Sequence, residues 1–310
     1  MASIFSNFRF PTIGKIIGLV LIFITIRVTY YWMSDGFNVK KIENTFPITD
    51  DLQVLPPNTA EKASLDHICS QKFYYLAKGS QAYAFISQDK KYVLKLFKCY
   101  HLKPAGWLEM MPLFGKLNQM KDQALAKRQK KINTALNSYK IVSQMLQNEC
   151  GLIYLQILPS SSFHQKVTIV DKIKREHPID LANYGFIVQR RANLIYPKLA
   201  SWIENKELDK AKKSLSSLIG LLVKRSLKGV QDSDPDLHKN AGFIGTDAIF
   251  IDLGSFHYNE AAKSSPVYMQ DIRKITKKLH DWLRVQSPEL DNFFEYQIQH
   301  AESLSWNPPA

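Results

Sequence analysis

Residues 16–26, IIGLVLIFITI, form a block without a charged side chain, closed at its two ends by Lys15 and Arg27. Such a block must be covered by protein or placed in lipid, and this narrows what the first part of the chain can become. Over residues 13–33 only two charges occur, and the stretch has about the 20 residues that a spanning helix needs. Lys15 and Arg27 can each snorkel toward a headgroup region, and Tyr30, Tyr31 and Trp32 have the character of an interfacial belt. A cleaved secretory signal has an apolar core of similar length, but Arg27, Tyr30, Tyr31 and Trp32 stand where small residues should mark the cut. The reading is a retained single-pass transmembrane helix over residues 13–33. Basic residues lie on both sides, Arg9 and Lys15 before and Lys40 and Lys41 after, so charge does not set its orientation.

The rest of the chain has room for a large core. With 310 residues, 45% hydrophobic and 22% charged, the composition excludes disordered, collagenous and disulfide-scaffold classes. No internal period marks a repeat array. Forty-one Lys plus Arg against 28 Asp plus Glu leave a net charge of +13, which favours an anionic partner such as acidic lipid, nucleic acid or a polyphosphate ligand. Cys69, Cys99 and Cys150 are odd in number, with no C-x-x-C spacing, which indicates neither a disulfide framework nor a zinc site and fits a reducing compartment.

Residues 34–65, with Pro47, Pro56 and Pro57 and no apolar period, read as a juxtamembrane linker. Strands are expected at 72–76, 82–87 and 91–97 as a meander, then at 166–170 and 186–189, with 151–158 another candidate. Between them, 116–148 reads as helix without Gly or Pro, and its lysines and arginine face only Asp122. Helices are expected at 201–228, 267–285 and 288–301, interrupted by a hairpin of 242–244 and 248–251 around Gly245-Thr246-Asp247. The fold class is thus α+β: a β-rich half over 66–194 carrying a basic helical insertion, and a mainly helical half over 195–310.

Four places carry chemistry. Leu76-Ala77-Lys78-Gly79-Ser80-Gln81-Ala82-Tyr83-Ala84-Phe85 is a turn of small residues between two strands, where backbone N–H groups can approach phosphates. Tyr92-Val93-Leu94-Lys95-Leu96-Phe97 puts a lysine on the same strand face as Val93 and Phe97, a costly position unless an anion compensates it. Gln231-Asp232-Ser233-Asp234-Pro235-Asp236-Leu237-His238-Lys239-Asn240 follows the long helix and precedes the hairpin. Its alternating acids have calcium-loop spacing, but Leu237 replaces the required glycine and Phe243 the bidentate glutamate. Finally, Ile249-Phe250-Ile251-Asp252-Leu253-Gly254-Ser255-Phe256 delivers an aspartate at the end of an apolar strand that returns toward Asn240.

In their order these segments resemble the protein-kinase-like fold, from about residue 73 to the C-terminus, with a bilobal arrangement behind one transmembrane helix. The resemblance implies ATP and Mg²⁺ as cofactors: Gly79, Ser80, Gln81 and Lys95 would meet the phosphates, and Asn240 with Asp252 would hold the metal. Asp234 would orient the acceptor hydroxyl, with Asp232 and Asp236 as alternatives, since none has the D-x-x-x-x-N spacing to Asn240. The form I-D-x-G-x-F is more similar to phosphoinositide and small-molecule kinases than to typical protein kinases. No glutamate occurs in 116–148 to pair with Lys95, the nearest being Glu109 and Glu149, and no A-P-E element follows Gly254. Two readings therefore stand: a membrane-anchored phosphotransferase facing the cytoplasm, or a pseudokinase-like binding or scaffold protein at a membrane. The basic helix 116–140 would meet anionic lipid or a protein partner, and with few aromatics among its lysines it does not favour nucleic acid.

Overall fold

The computed structural model describes residues 10–43, 57, 59–98, 115–160 and 164–301. Helix α1 (Phe10–Ser34) contains a stretch, Gly14–Ser34, long and apolar enough to cross a membrane, and none of its apolar window is buried. At 1.5 Å per residue its 21 residues extend about 31 Å, the thickness of a hydrocarbon core. A core helix of a water-soluble domain would be covered, whereas here Leu19, Phe23 and Ile26 are more than half exposed.

The chain leaves α1 by a tight reversal. Gly36 N–H donates to Tyr31 O (3.0 Å) and Phe37 N–H to Ser34 O (2.9 Å). Gly36 has φ +68°, and a Cβ there would lie 2.3 Å from the Tyr31 ring, so the position requires glycine twice over. The reversal drives Phe37 into the core, 1% exposed, edge-to-face with Tyr83 and Phe85 at centroid distances of 5.1 and 5.5 Å. Ile42 is fully buried, and Glu43 bridges to Tyr184. Residues 34–43 are thus packed onto the fold, where the sequence suggested irregular linker. Helix α2 (Thr59–Cys69) is a second departure, with Leu65, Ile68 and Cys69 buried at three and four residue steps. Pro47 and Pro56 fall outside the described residues.

Strands β1 (Phe73–Lys78), β2 (Ala82–Ser87) and β3 (Tyr92–Phe97) form the antiparallel meander. After helix α3 (Lys116–Met145), strands β4 (Leu152–Gln156), β5 (Lys166–Val170), β6 (Glu176–Asp180) and β7 (Phe186–Arg190) complete a seven-stranded sheet ordered β4-β7-β3-β2-β1-β5-β6. Among the described residues only β1 and β5 pair in parallel. The sequence hides β6, because Glu176-His177-Pro178-Ile179-Asp180 has one aliphatic residue and a proline; at the sheet edge that proline is tolerated. One face packs Leu94, Leu96 and Val188 with Phe37, Phe73 and Phe186. The other packs Phe97 and Ile187 with Tyr139 of α3 and with the helical half. Strand alternation sends Lys95 to this second face, toward the helical half.

The helical half opens with β8 (Asn193–Leu194), α4 (Ile195–Glu204) and α5 (Leu208–Leu227). The single helix expected over 201–228 is broken at Asn205, whose Nδ2 donates to Ser201 O (2.8 Å), and at Lys206 with φ 57°. The buried stripe Leu215, Leu218, Ile219 and Leu222 anchors α5. Strands β9 (Val230–Asp232), β10 (Ala241–Ile244), β11 (Asp247–Phe250) and β12 (Phe256–Tyr258) follow, then helices α6 (Ser265–Gln286) and α7 (Pro288–Gln299). The hairpin turn is Gly245-Thr246 alone, because Asp247 pairs with Ile244 inside the ladder.

Candidate functional site

Lys95 reaches from the centre of the large sheet to the loop after β11, donating from Nζ to Ile251 O at 2.5 Å. Burial pushes its ammonium below the ordinary lysine range, and the neighbouring Asp252 carboxylate opposes that shift. The lysine and the aspartate, 157 positions apart in sequence by their numbering, are therefore electrostatic neighbours. Asp252 Oδ1 accepts the N–H of Gly254 (3.2 Å), and the backbone carbonyl of Asn240 accepts from Ile251 N–H at 2.7 Å. The hairpin thus brings Asn240 beside Asp252.

Within the acidic loop the three aspartates differ. Asp232 is half-buried: Oδ1 accepts from Ser255 Oγ (2.5 Å) and from Asp234 N–H (2.9 Å). Burial raises its carboxyl, hydrogen bonds from Ser255 and Asp234 and the charge of Arg225 oppose this, and Asp252 adds to the rise. Asp234 is exposed, and its carbonyl accepts from Asn240 Nδ2 (2.8 Å). Asp236 accepts from His238 N–H (3.0 Å) and pairs with Lys239 (3.4 Å). Beneath the loop lies Arg225 of α5, fully buried, bonded to Asp271 at 2.5 Å, with Nε and Nη1 lacking a hydrogen-bond partner among the described residues. The expected site does not include it, although a charge one turn beyond Leu222 in an otherwise apolar stripe is a visible signal in the sequence.

Helix α3 grips this loop from the other side. The buried Ser138 Oγ donates to Leu253 O (2.5 Å) and accepts from Phe256 N–H (2.8 Å), clamping the residues that flank Gly254. The next residue, Tyr139, stacks on Phe97 (4.7 Å) and donates from its hydroxyl to Gln81 Oε1 (2.6 Å). Gln81 lies so close to Gly254 that a Cβ there would sit 2.2 Å from Oε1. Gln81 of the small-residue turn is therefore drawn to the Asp252 loop, while Ser80 is exposed and Gly79 stands at the far end of the turn. Glu149 does not serve Lys95: its carboxylate pairs with Lys228 at 2.6 Å. Glu109 and Cys99 lie outside the described residues. Cys150 is free and buried close to Lys95, its thiol raised by burial.

Among the described residues no three His, Cys, Asp or Glu side chains form a ready metal cage. The donors at hand are Asp252, Asn240 and Asp232, all oxygen, two of them carboxylates that repel one another. A hard divalent cation that completes its shell with phosphate and water fits such a set.

Gly79 O accepts from Lys98 Nζ, whose side chain is 1% exposed and lies 4.6 Å from the Tyr83 ring centroid. Burial, then Lys78 and Lys41, bring the Lys98 ammonium down to about 8, with Asp35 opposing. Between pH 8 and the unfolded value near about 10.4 the unfolded chain binds the extra proton, so the folded state gains stability as pH rises through that window. Lys98→Met is expected to raise the thermal midpoint at pH 7 and to flatten its rise above pH 8 relative to the parent protein, as read by unfolding scans of the full chain in neutral detergent.

No protein-family model and no curated protein matches the chain. Among solved structures, the bifunctional kinase-methyltransferase WbdD is similar at 16% identity over 76% of this chain and 47% of its own, with a TM-score of 0.35. Rv3197 from Mycobacterium tuberculosis, in complex with erythromycin, is similar at 12% identity over 75% of this chain and 59% of its own, with a TM-score of 0.32. The chain spans less than half the length of the WbdD structure. At TM-scores of this size neither neighbour decides the fold family.

Proposed function

We propose that the chain is a membrane-anchored phosphotransferase of kinase-like type that uses ATP and Mg²⁺. The observation that carries this reading is the meeting of Lys95 with Asp252 across the two halves, beside Asn240. A buried lysine next to an acidic, oxygen-rich loop suits a reaction whose catalysis is mainly positioning and charge neutralisation. Lys95, with the backbone of Gly79, Ser80 and Gln81, would bind phosphate oxygens. Asp252 and Asn240 would hold the metal, which when bound neutralises charge on the phosphates. Asp234, the exposed aspartate of the three, would orient the acceptor hydroxyl and accept its proton at a carboxylate oxygen, with Asp232 the alternative. Asp236 is the weakest candidate, since it caps His238 and faces Lys239.

The span is read as retained because Ser34, its last residue, and Phe37, three residues on, are buried and leave no extended segment to cleave. The domain would face the cytoplasm, where nucleotide is available. Lys116, Lys127, Lys130 and Lys131 of α3 are exposed and would meet anionic lipid or a protein partner. A specific observation favours the second reading, a non-catalytic pseudokinase: Gln81 is drawn against Gly254, and Lys95 is held by a backbone carbonyl with no glutamate partner among the described residues.

Thermal unfolding of the full chain in neutral detergent, with ATP and Mg²⁺ at millimolar concentration, tests nucleotide binding. A rise of a few degrees that needs both ligands is expected, and an unchanged midpoint would sink the ATP-binding form of both readings. Release of γ-phosphate or its transfer to an added acceptor then separates the enzyme from the pseudokinase.

A further inference from the structure

The end of α1 carries more positive charge than an anchor requires. Lys41 Nζ lies 5.7 Å from the Tyr31 ring centroid and donates to Gly36 O (2.6 Å). Lys78 Nζ lies over the same ring at 4.8 Å and donates to the Tyr31 hydroxyl (3.0 Å). Lys98, almost wholly buried, sits over Tyr83, whose hydroxyl donates to the same Gly36 carbonyl (3.1 Å). Around this group Lys172 pairs with Asp35 (3.0 Å), and Arg175 pairs with Asp171 (2.9 Å) and donates to the Tyr30 hydroxyl (2.7 Å). Five cations therefore surround two carboxylates at the depth where the apolar helix ends.

We propose that Lys41 and Lys78, with the buried charge of Lys98 behind them, form a binding site for the phosphate of an anionic phospholipid in the leaflet facing the domain. The proposal rests on the reading that α1 spans a membrane. Three observations support it. The first is place: Tyr30 and Tyr31 mark the boundary between hydrocarbon and headgroups, and both touch the cations. The second is electrostatic: Lys78 and Lys41 both depress the Lys98 ammonium against the opposing charge of Asp35, so the three share one positive field that a further anion would relieve. The third is rigidity. Gly36 and Phe37 fix the helix end to the sheet, and the lysines come from three separate segments that the fold holds together, so little ordering remains to be done when a headgroup binds.

The test follows the thermal midpoint of the full chain in neutral detergent during titration with dioctanoylphosphatidylglycerol, dioctanoylphosphatidylcholine or inorganic phosphate. The glycerol lipid is expected to raise the midpoint at concentrations where the choline lipid and free phosphate do not. The variant Lys41→Gln/Lys78→Gln, at sites that are not fully buried, should shift the half-saturating concentration upward by about tenfold or more, while Lys274→Gln/Lys278→Gln, exposed on α6, leaves it in place. An equal response to inorganic phosphate overturns the lipid assignment. No response to phosphatidylglycerol, or one that survives Lys41→Gln/Lys78→Gln, overturns the site. If that variant has a lowered midpoint without lipid, native mass spectrometry of lipid retained by the parent protein and by Lys78→Gln alone decides instead, equal retention refuting the proposal. Alkaline carbonate extraction of membranes from expressing cells reports the span separately. Release of the chain refutes the spanning reading, whereas a retained chain without a lipid response refutes the site alone.

Discussion

Asp252→Asn is expected to lower phosphoryl transfer by about 100-fold or more and to remove the magnesium dependence of nucleotide stabilisation. The substitution keeps the size of the side chain and an oxygen able to accept from Gly254 N–H, so the loop clamped by Ser138 should keep its course. It removes the charge that a metal needs, and also the carboxylate that opposes the downward shift of Lys95. Two signatures should therefore appear together: weaker metal dependence and a lysine more easily deprotonated. The midpoint without nucleotide should stay close to that of the parent protein, because Asp232 loses a repelling neighbour while Lys95 loses an attracting one. Measured as γ-phosphate release and as the nucleotide-induced shift with and without Mg²⁺, an undiminished response in the variant would remove Asp252 from the site.

The second large effect is structural. Arg225→Met should destabilise the fold by about 3 kcal/mol, the lower end for breaking one side of a buried ion pair, since the Asp271 side chain keeps 18% of its exposure and regains some water. For a folded part of this size that is a fall of about 6–12 °C in the thermal midpoint. Arg225 also supports the acidic loop, holding Asp232 below the value that burial alone would impose. The same variant should therefore move any pH dependence governed by Asp232 upward. Replacing both partners, Arg225→Met with Asp271→Leu, should recover much of the lost stability but not the pH shift, and this separates the structural role from the electrostatic one. A single variant as stable as the parent would show that Arg225 does not carry the structural load, and an unmoved pH dependence that it does not carry the electrostatic one.

The parts legible in the sequence are those whose signal is local. The meander β1–β3, the long helix α3, the stripe of α5 and the hairpin β10–β11 each carry their own periodicity or turn chemistry within a dozen or so residues. What escaped depends on distant partners. Strands β8, β9 and β12 are two or three residues long and exist because β10 and one another lie alongside, a pairing no local pattern announces. Phe37 reads as an isolated aromatic in a polar stretch until the Gly36 reversal turns it into the core. Lys95 and Asp252 stand out because each breaks or ends an apolar run, whereas Asn240 comes forward only through the place of its loop in the resemblance. Ser138 and Tyr139 could not, since a serine and a tyrosine in a lysine-rich helix show nothing of the loop they hold until that loop is folded against them.

The packed exit from α1 has a mechanical consequence. A domain on a flexible tether sweeps a hemisphere above the bilayer and meets partners at any height within reach of its leash. Here the reversal at Gly36 and the burial of Phe37 remove the leash, so the sheet follows the helix as the blade of an oar follows its shaft. If α1 spans a bilayer as proposed, its tilt, to which interfacial Tyr30, Tyr31 and Trp32 would contribute, becomes tilt of β1 and β2 and hence of the turn at Gly79. In the proposed spanning arrangement, the elevation and angle of that turn above the bilayer would be held by the helix and not left to a tether.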